Sequence, residues 1–287
     1  MYAVSGMTGQ VGGQVAQALL AAGARVRAVV RSAEKGEAWA ARGCEVAVVA
    51  DATDADALGR ALAGTLGAFL MNPPVYDPEP GFPETRRVVA AFAQAIEAGR
   101  PGCVVALSSV GAQVGRFNLL NNAGLLEAGL AGVSVPVAML RPAWFIENAQ
   151  WDVAAARAGR IESFLTPVGR AIDMVGVRDI GRVAAGLLRE DWVGTRVVEL
   201  RGPRQVSPAM LAEGFARALG RPVEVATLPR GGWEARFRAQ GMRHPEARMA
   251  MLDGFNEGWI AFEGAPAEQV VGSVGLDAIV ADLLARG

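Results

Sequence analysis

Apolar residues along this chain come in short unbroken runs, separated by longer stretches in which they recur every three or four positions. The runs YAVS (2–5), RVRAVV (25–30), CEVAVVA (44–50), GAFLMN (67–72), CVVALSS (103–109) and VSVPVAMLR (133–141) are rich in β-branched residues. They lack the alternation of a half-exposed strand and predict strands buried on both faces. Between them lie Gln14–Ala22, Glu34–Arg42, Asp54–Ala63, Glu84–Ala98 and Leu119–Leu130, alanine-rich and long enough for crossover helices. Strand and helix in strict alternation imply a parallel, doubly wound α/β sheet. Helix punctuation agrees: DATDAD (51–56) offers Thr53 as a cap with Asp56 three residues on, and QVSPAM (205–210) sets Ser207 ahead of Pro208.

After about Trp151 the alternation fades. AIDMVGVRDIGRVAAGLL (171–188) reads as strand then helix and TRVVELRG (195–202) as another strand. The expected division is a nucleotide-binding domain over residues 1–153 and a smaller α/β lobe over 154–287. Parts of 173–200 are expected to pack back on the sheet, with a cleft between the two units. No repeat or low-complexity linker separates them.

Gly6, Gly9 and Gly12 follow the first strand and open the first helix, so the spacing G-x-x-G-x-x-G stands in a strand–turn–helix context. A side chain at these positions would block the turn or hold the backbone away from a pyrophosphate, whereas bare amides at a helix N-terminus attract negative charge. This is the phosphate loop of a Rossmann-type sheet, with Gly6, Thr8, Gly9, Gln10, Val11 and Gly12 as cofactor-binding candidates and Thr8 placed to brace the turn. About twenty residues on, where an acidic side chain would bind the ribose of NAD, the second strand ends in Arg31. Arg31, Ser32 and Lys35 offer charge and donors suited to a 2′-phosphate, although Glu34 competes, and the expected cofactor is NADP(H). Asp51 after the third strand either meets the adenine amino group or starts a loop.

Composition narrows the partners. The 287 residues carry a formal net charge of −1 and 52% hydrophobic residues, without the basic excess that nucleic acid demands. Cys44 and Cys103 sit beside apolar runs, and His244 is the single histidine, so no metal site is expected. The apolar segments are too short to cross a bilayer. The first strand starts within a residue or two of Met1 and leaves no room for a secretory signal, which makes a cytoplasmic location, as monomer or homodimer, the expectation.

Sheets of this kind often serve enzymes in which a tyrosine donates a proton and a lysine four residues later lowers its pKa. Here the tyrosines are Tyr2 and Tyr76 and the sole lysine is Lys35, so that pair is excluded and no catalytic residue is assigned. What remains is hydride transfer to an acceptor that needs little acid help, such as a quinone, or cofactor binding without turnover. The carboxyl ends of the strands nominate Asn72 and Pro73, then Ser108 and Ser109, then Arg141, Trp144, Phe145 and Asn148. Ser108 and Ser109 either bond the nicotinamide ribose or a substrate carbonyl, or cap the next segment.

With GMTGQVG (6–12), VVR (29–31), ADATDADAL (50–58), LRPAWFIEN (140–148), VGVRDIGRVAAGLL (175–188) and ELRGPRQVS (199–207), the chain resembles the NmrA-like branch of the atypical short-chain dehydrogenase/reductase family over nearly its whole length. The resemblance implies an NADPH-dependent quinone reductase or azoreductase, or a regulator that senses NADP(H) through a protein partner. It carries the loop onto Gly6–Gly12, the strand-two arginine onto Arg31, and a segment by the nicotinamide onto Leu140–Asn148. Relatives that reduce phenylpropanoids rely on a lysine before the sixth strand, where NLLNNAGLLEAGL (118–130) has none.

Overall fold

The computed structural model describes residues 1–286. Its first half alternates without exception: β1 (Tyr2–Ser5), α1 (Gln10–Ala21), β2 (Val26–Val30), α2 (Ala33–Ala40), β3 (Glu45–Val48), α3 (Ala55–Leu62), β4 (Gly67–Met71), α4 (Pro83–Gly99), β5 (Val104–Leu107), α5 (Asn121–Leu130) and β6 (Val137–Pro142). The second half is more broken. It runs through β7 (Trp144–Phe145), a 3-10 turn (Ile146–Asp152), α6 (Val153–Arg157), β8 (Arg160–Ser163), β9 (Met174–Val175), α7 (Val177–Leu187) and β10 (Thr195–Arg201). It ends with α8 (Pro208–Leu219), β11 (Glu224–Thr227), α9 (Trp233–Ala239), α10 (Glu246–Glu257), β12 (Glu268–Val271) and α11 (Leu276–Arg286).

Eight parallel strands form the main sheet in the order β12-β10-β6-β5-β4-β1-β2-β3. The chain winds outward from β1 in one direction, then crosses to β4 and winds in the other, so a crevice opens between the carboxyl ends of β1 and β4. Helices cover both faces. Val11, Val15 and Leu19 of α1, Trp39 of α2 and Ile180 and Ala184 of α7 pack on one side of the sheet. Leu58 and Leu62 of α3, Phe92 and Ile96 of α4 and Leu126 and Leu130 of α5 pack on the other. α1 and α7 touch closely because Gly181 has no side chain, and a Cβ there would lie 2.4 Å from Gln14 Cβ.

The segment after residue 153 contributes more to the sheet than its sequence suggests. β10 lies against β6 and β12 against β10, so two strands of the C-terminal half extend the main sheet. β12 has no apolar run; its four residues EQVV sit at the sheet edge with most side chains exposed, and the strand is held by main-chain pairing. The remaining C-terminal elements share a separate core with the 3-10 turn, built from Ile146, Ile161, Leu165, Phe215, Phe255 and Val280, with a smaller cluster around Trp233 and Phe237.

Two boundary expectations are corrected. The cap of α3 is Asp54, whose carboxylate accepts from Ala57 N at 2.9 Å. Thr53 does not cap it, because its hydroxyl turns back to Asp51 Oδ1 at 2.8 Å. Strand β2 ends at Val30, and Arg31 begins the turn beyond it. Ser207 caps α8 as the sequence predicts, accepting from Met210 N at 3.2 Å with Pro208 in the first turn.

Candidate active site at the carboxyl edge of the sheet

The glycine loop has the geometry of an anion seat. Gly6 has φ +66°, in the left-handed region that favours glycine, and a Cβ there would lie 2.6 Å from Met71 Sδ. The turn closes through Gly9 N donating to Gly6 O at 2.9 Å. Gly12 brings α1 down onto β1, since a Cβ there would meet Gly6 O at 2.4 Å and Ser5 O at 2.5 Å. At the start of α1 no side chain caps the helix and no acidic residue lies in the first turn, so its amides are left for a ligand.

Other loop residues are placed differently from one another. Thr8 is exposed, and its hydroxyl makes no hydrogen bond with the described residues, so the brace expected of it is supplied by the Gly6–Gly9 bond. Val11 is buried in the core and offers the crevice main chain only. Gln10 turns to the 3-10 turn after β7, where its Nε2 donates to Gln150 Oε1 at 3.1 Å.

Next to this loop, Arg31 and Lys35 are exposed and form no ion pair with any described residue, while Ser32 opens α2 without using its hydroxyl as a cap. Glu34 stands in the first turn of α2. Asp51 lies at the far edge, where its carboxylate is exposed and occupied by Thr53. The main-chain and hydroxyl hydrogen bonds from Thr53 lower its pKa.

On the other side of the crevice Asn72 follows β4, its Nδ2 donating to Asn122 O at 3.4 Å and its Oδ1 buried without a partner. Pro73 is half-buried beside it. Ser108 follows β5, is buried, and donates its hydroxyl to Glu127 Oε1 of α5. Ser109 is half-buried, and its carbonyl accepts from Ala112 N at 3.1 Å. Trp144 packs edge-on against Phe255 with ring centres 5.0 Å apart. Phe145 leans on the sheet core, and Asn148 is exposed on the 3-10 turn.

Arg141 does not fit the expectation of an acceptor contact. All six residues of β6 are buried, and the guanidinium, only 4% exposed, is taken up by carboxylates. Nε and Nη2 reach Glu127 Oε1 and Oε2 at 2.8 and 2.7 Å, and Nη1 reaches Glu263 Oε2 at 2.7 Å and Glu199 Oε1 at 3.5 Å. Burial alone would lower the Arg141 pKa, but hydrogen bonds and charge from Glu127 and Glu263 outweigh it and raise the pKa. Glu199 also accepts from Glu263 N, Gly264 N and Gln269 Nε2, at 2.8, 3.0 and 2.7 Å. The three carboxylates lie 14, 58 and 122 residues from Arg141, and no sequence spacing announces them.

Two further groups escaped the sequence reading. Asp77, in the segment after β4, accepts from Arg243 N at 2.8 Å and His244 N at 2.6 Å, tying that segment to the lobe. A cavity of about 320 Å³ lies beside this tie, walled by Phe82, Phe117, His244 and Ala247. Glu147 accepts from Val177 N at 2.9 Å at the start of α7, while its Oε2 is buried without a partner, and burial raises its pKa. Burial also pushes the Cys103 thiol up to about 11 and raises that of Cys44, so both behave as packing groups. Among the described residues no cluster could hold a metal ion and no helix is long and apolar enough to cross a membrane.

An uncapped helix start packed onto a parallel strand by glycine, at a crevice where the strand order reverses, defines a dinucleotide-binding protein. The chain belongs to the NAD(P)H-binding family, whose model matches residues 6–163, more than half of its length. It is 28% identical over 264 residues to an NAD(P)H azoreductase of Xenophilus azovorans, covering 90% of this chain and 85% of that protein. Two solved structures share the fold over 99% of both chains, each with a TM-score of 0.80. They are the triphenylmethane reductase of a Citrobacter species, at 20% identity, and an NADPH-dependent quinone oxidoreductase of Escherichia coli solved with NADPH, at 23%.

Proposed function

We propose that this chain is an NADPH-dependent oxidoreductase that passes hydride to a quinone-like or other conjugated small acceptor without a tyrosine–lysine relay. The observation that carries the cofactor reading is the pairing of an uncapped α1 start with two unpaired cations, Arg31 just past the adjoining strand and Lys35 in the first turn of α2. The loop Gly6–Gly12 and the amides of α1 hold the pyrophosphate, and Arg31, Ser32 and Lys35 hold the 2′-phosphate. Asp51 lies toward the adenine, and Asn72, Pro73 and Ser108 toward the nicotinamide. The bound cofactor supplies the hydride. Ser109, Trp144, Phe145 and Asn148 face the acceptor, with the lobe of residues 154–287 as roof.

The chain's own residues offer little acid catalysis. Tyr2 lies in β1, Tyr76 is exposed in the segment after β4, and Lys35 is in α2, so none forms a proton relay. An acceptor whose incoming charge spreads over a ring, and which water can protonate, suits such a site. The azoreductase, quinone reductase and dye reductase relatives are named for acceptors of this conjugated kind, which supports the reading.

The test is spectrophotometric. With 1,4-benzoquinone or a naphthoquinone, NADPH should be consumed faster than NADH. Arg31→Ala should reduce that preference by about ten- to a hundredfold, the worth of a charge-assisted hydrogen bond of roughly 1.5–3 kcal/mol. Equal rates with both cofactors in the wild type reject the 2′-phosphate assignment. Tight NADPH binding with no turnover of quinone, azo or triphenylmethane acceptors turns the reading toward a sensor that works through a protein partner.

A further inference from the structure

The arginines withdrawn from water are Arg27, Arg141, Arg196 and Arg248. The first three each meet a carboxylate: Arg27 at Glu45, Arg141 at Glu127, and Arg196 at Glu190 and Glu268. Arg248 meets none among the described residues. Its guanidinium lies over the buried Phe237 ring, 4.6 Å from the ring centre, and its Nη1 donates to Met242 Sδ at 3.8 Å, a weak acceptor. Nε and Nη2 make no hydrogen bond with any described residue. Burial lowers the Arg248 pKa, and the group that pulls the other way is Tyr76, not a carboxylate. Acids close by are spent elsewhere: Asp77 accepts from Arg243 N and His244 N, and Glu246 from Arg238 Nη2 at 3.4 Å. A half-buried guanidinium with most of its donors unused calls for an anion that the chain itself does not supply.

The packing around Arg248 leads to Trp144. Arg248, Met251, Leu252 and Phe255 follow one another along α10 at steps of three and four residues and so share a face of the helix. Phe255, about 10 Å along that face, meets the Trp144 ring edge-on. Trp144, Met242 and Met251 all pack on the cluster of Trp233 and Phe237, and Phe237 carries the Arg248 guanidinium. Tyr76 belongs to the segment that leaves the crevice at Asn72. Arg248 thus lies in the roof formed by the lobe, far in the fold from the cations beside the glycine loop.

We propose that Arg248 is a specificity-determining residue that takes a carboxylate or sulfonate substituent on the conjugated acceptor seated against Trp144. This inference rests on the acceptor reading given above and narrows it to anionic aromatic compounds. A guanidinium matches the paired oxygens of either group, and its partial withdrawal from water strengthens the contact.

The test uses two azo compounds that differ in one charge, 4-(phenylazo)benzenesulfonate and 4-(phenylazo)benzenesulfonamide, with NADPH and the full chain. In the wild type the sulfonate should have the lower KM, and added salt should raise that KM and leave the sulfonamide's flat. Arg248→Met keeps the stem over Phe237 and removes the charge. The ratio of kcat/KM for the sulfonate to that for the sulfonamide should then fall about ten- to a hundredfold, through KM, and the salt dependence should vanish. Arg248→Lys should recover part of the ratio, since it restores the charge without the planar fork. Calorimetric titration of the sulfonate into protein saturated with NADP+ should show the same loss as a rise in Kd, with no turnover needed. Melting temperatures show whether each variant folds, and Arg248→Gln with the wild-type salt dependence decides should Arg248→Met not fold. Equal losses for both compounds would assign Arg248 to packing and overturn the proposal. A wild type that binds no NADPH removes the cofactor reading and this inference with it. One that binds NADPH but treats the two azo compounds alike, at low salt and high, removes this inference alone. Arg248-dependent binding of the sulfonate without turnover keeps the site and turns the function toward a sensor.

Discussion

Arg31 and Arg141 both sit at the carboxyl side of strands in one sheet, and the structure treats them in opposite ways. Arg31 stands just past β2, exposed and unpaired beside the open start of α1. Arg141 lies inside β6, between β5 and β10, and is closed in by Glu127, Glu199 and Glu263. A guanidinium taken out of water must be matched by charge and hydrogen bonds, and once matched it has nothing left for a ligand. A guanidinium left in water at the edge of a crevice keeps its donors. In this fold an arginine on the carboxyl side of the sheet keeps free donors only where the elements around it leave it in water.

The largest effect expected from breaking this contrast is at the closed end. Arg141→Met removes the cation that Glu127 and Glu199 share and leaves both carboxylates without it in the interior, so unfolding free energy should fall by about 3–5 kcal/mol in a denaturant titration. A loss below about 1 kcal/mol would show that the cluster is not a matched buried network. Gly12→Ala acts at the open end. Its Cβ would lie 2.4 Å from Gly6 O and 2.5 Å from Ser5 O, so α1 must lift from β1. A stability loss of about 1–3 kcal/mol is expected, with NADPH affinity reduced at least tenfold by calorimetry. Unchanged affinity in a folded Gly12→Ala protein would mean that the helix start does not hold the phosphates.

The smallest effect concerns Asp152, at the end of the 3-10 turn that carries Gln150 to the glycine loop. Burial raises its pKa to about 6. Between about pH 4 and pH 6 the folded chain therefore holds a proton that the unfolded chain has released. Unfolding free energy falls as pH rises through that window and stays reduced above it, the opposite of a carboxylate lowered by a partner. Asp152→Asn should raise stability at pH 7.5 by about 1 kcal/mol and change nothing at pH 4. Equal effects at both values would show that packing, not charge, is at work there.

Strands β1, β2, β4, β5 and β6 were legible because both faces are largely covered, and double burial writes itself as an unbroken apolar run; β3, at the other edge of the sheet, carries the same kind of run but leaves Glu45 and Val48 exposed, so the double burial expected of it does not hold. β12 was not legible, since an edge strand held by main-chain pairing needs no such run. The two-residue strand β7 is too short to leave any pattern, whereas β9 and α7 follow the strand-then-helix reading of residues 171–188. The glycine loop could be read because its constraints are local: Gly6, Gly9 and Gly12 meet each other and Ser5 within one turn. Glu127 could not, for nothing near it in sequence marks it as the partner of Ser108 and Arg141.

Sequence alone determined the parallel sheet, the position of the first crossover and the lack of a tyrosine–lysine pair, because periodicity, steric need for glycine and the absence of a residue type are properties of the chain itself. Tertiary structure alone decided which arginine is free, which way the Ser108 hydroxyl points, and that the last strand returns to the sheet edge. Those depend on groups brought together across as many as 122 residues, where charge and hydrogen-bond matching act through space and leave no trace in local order.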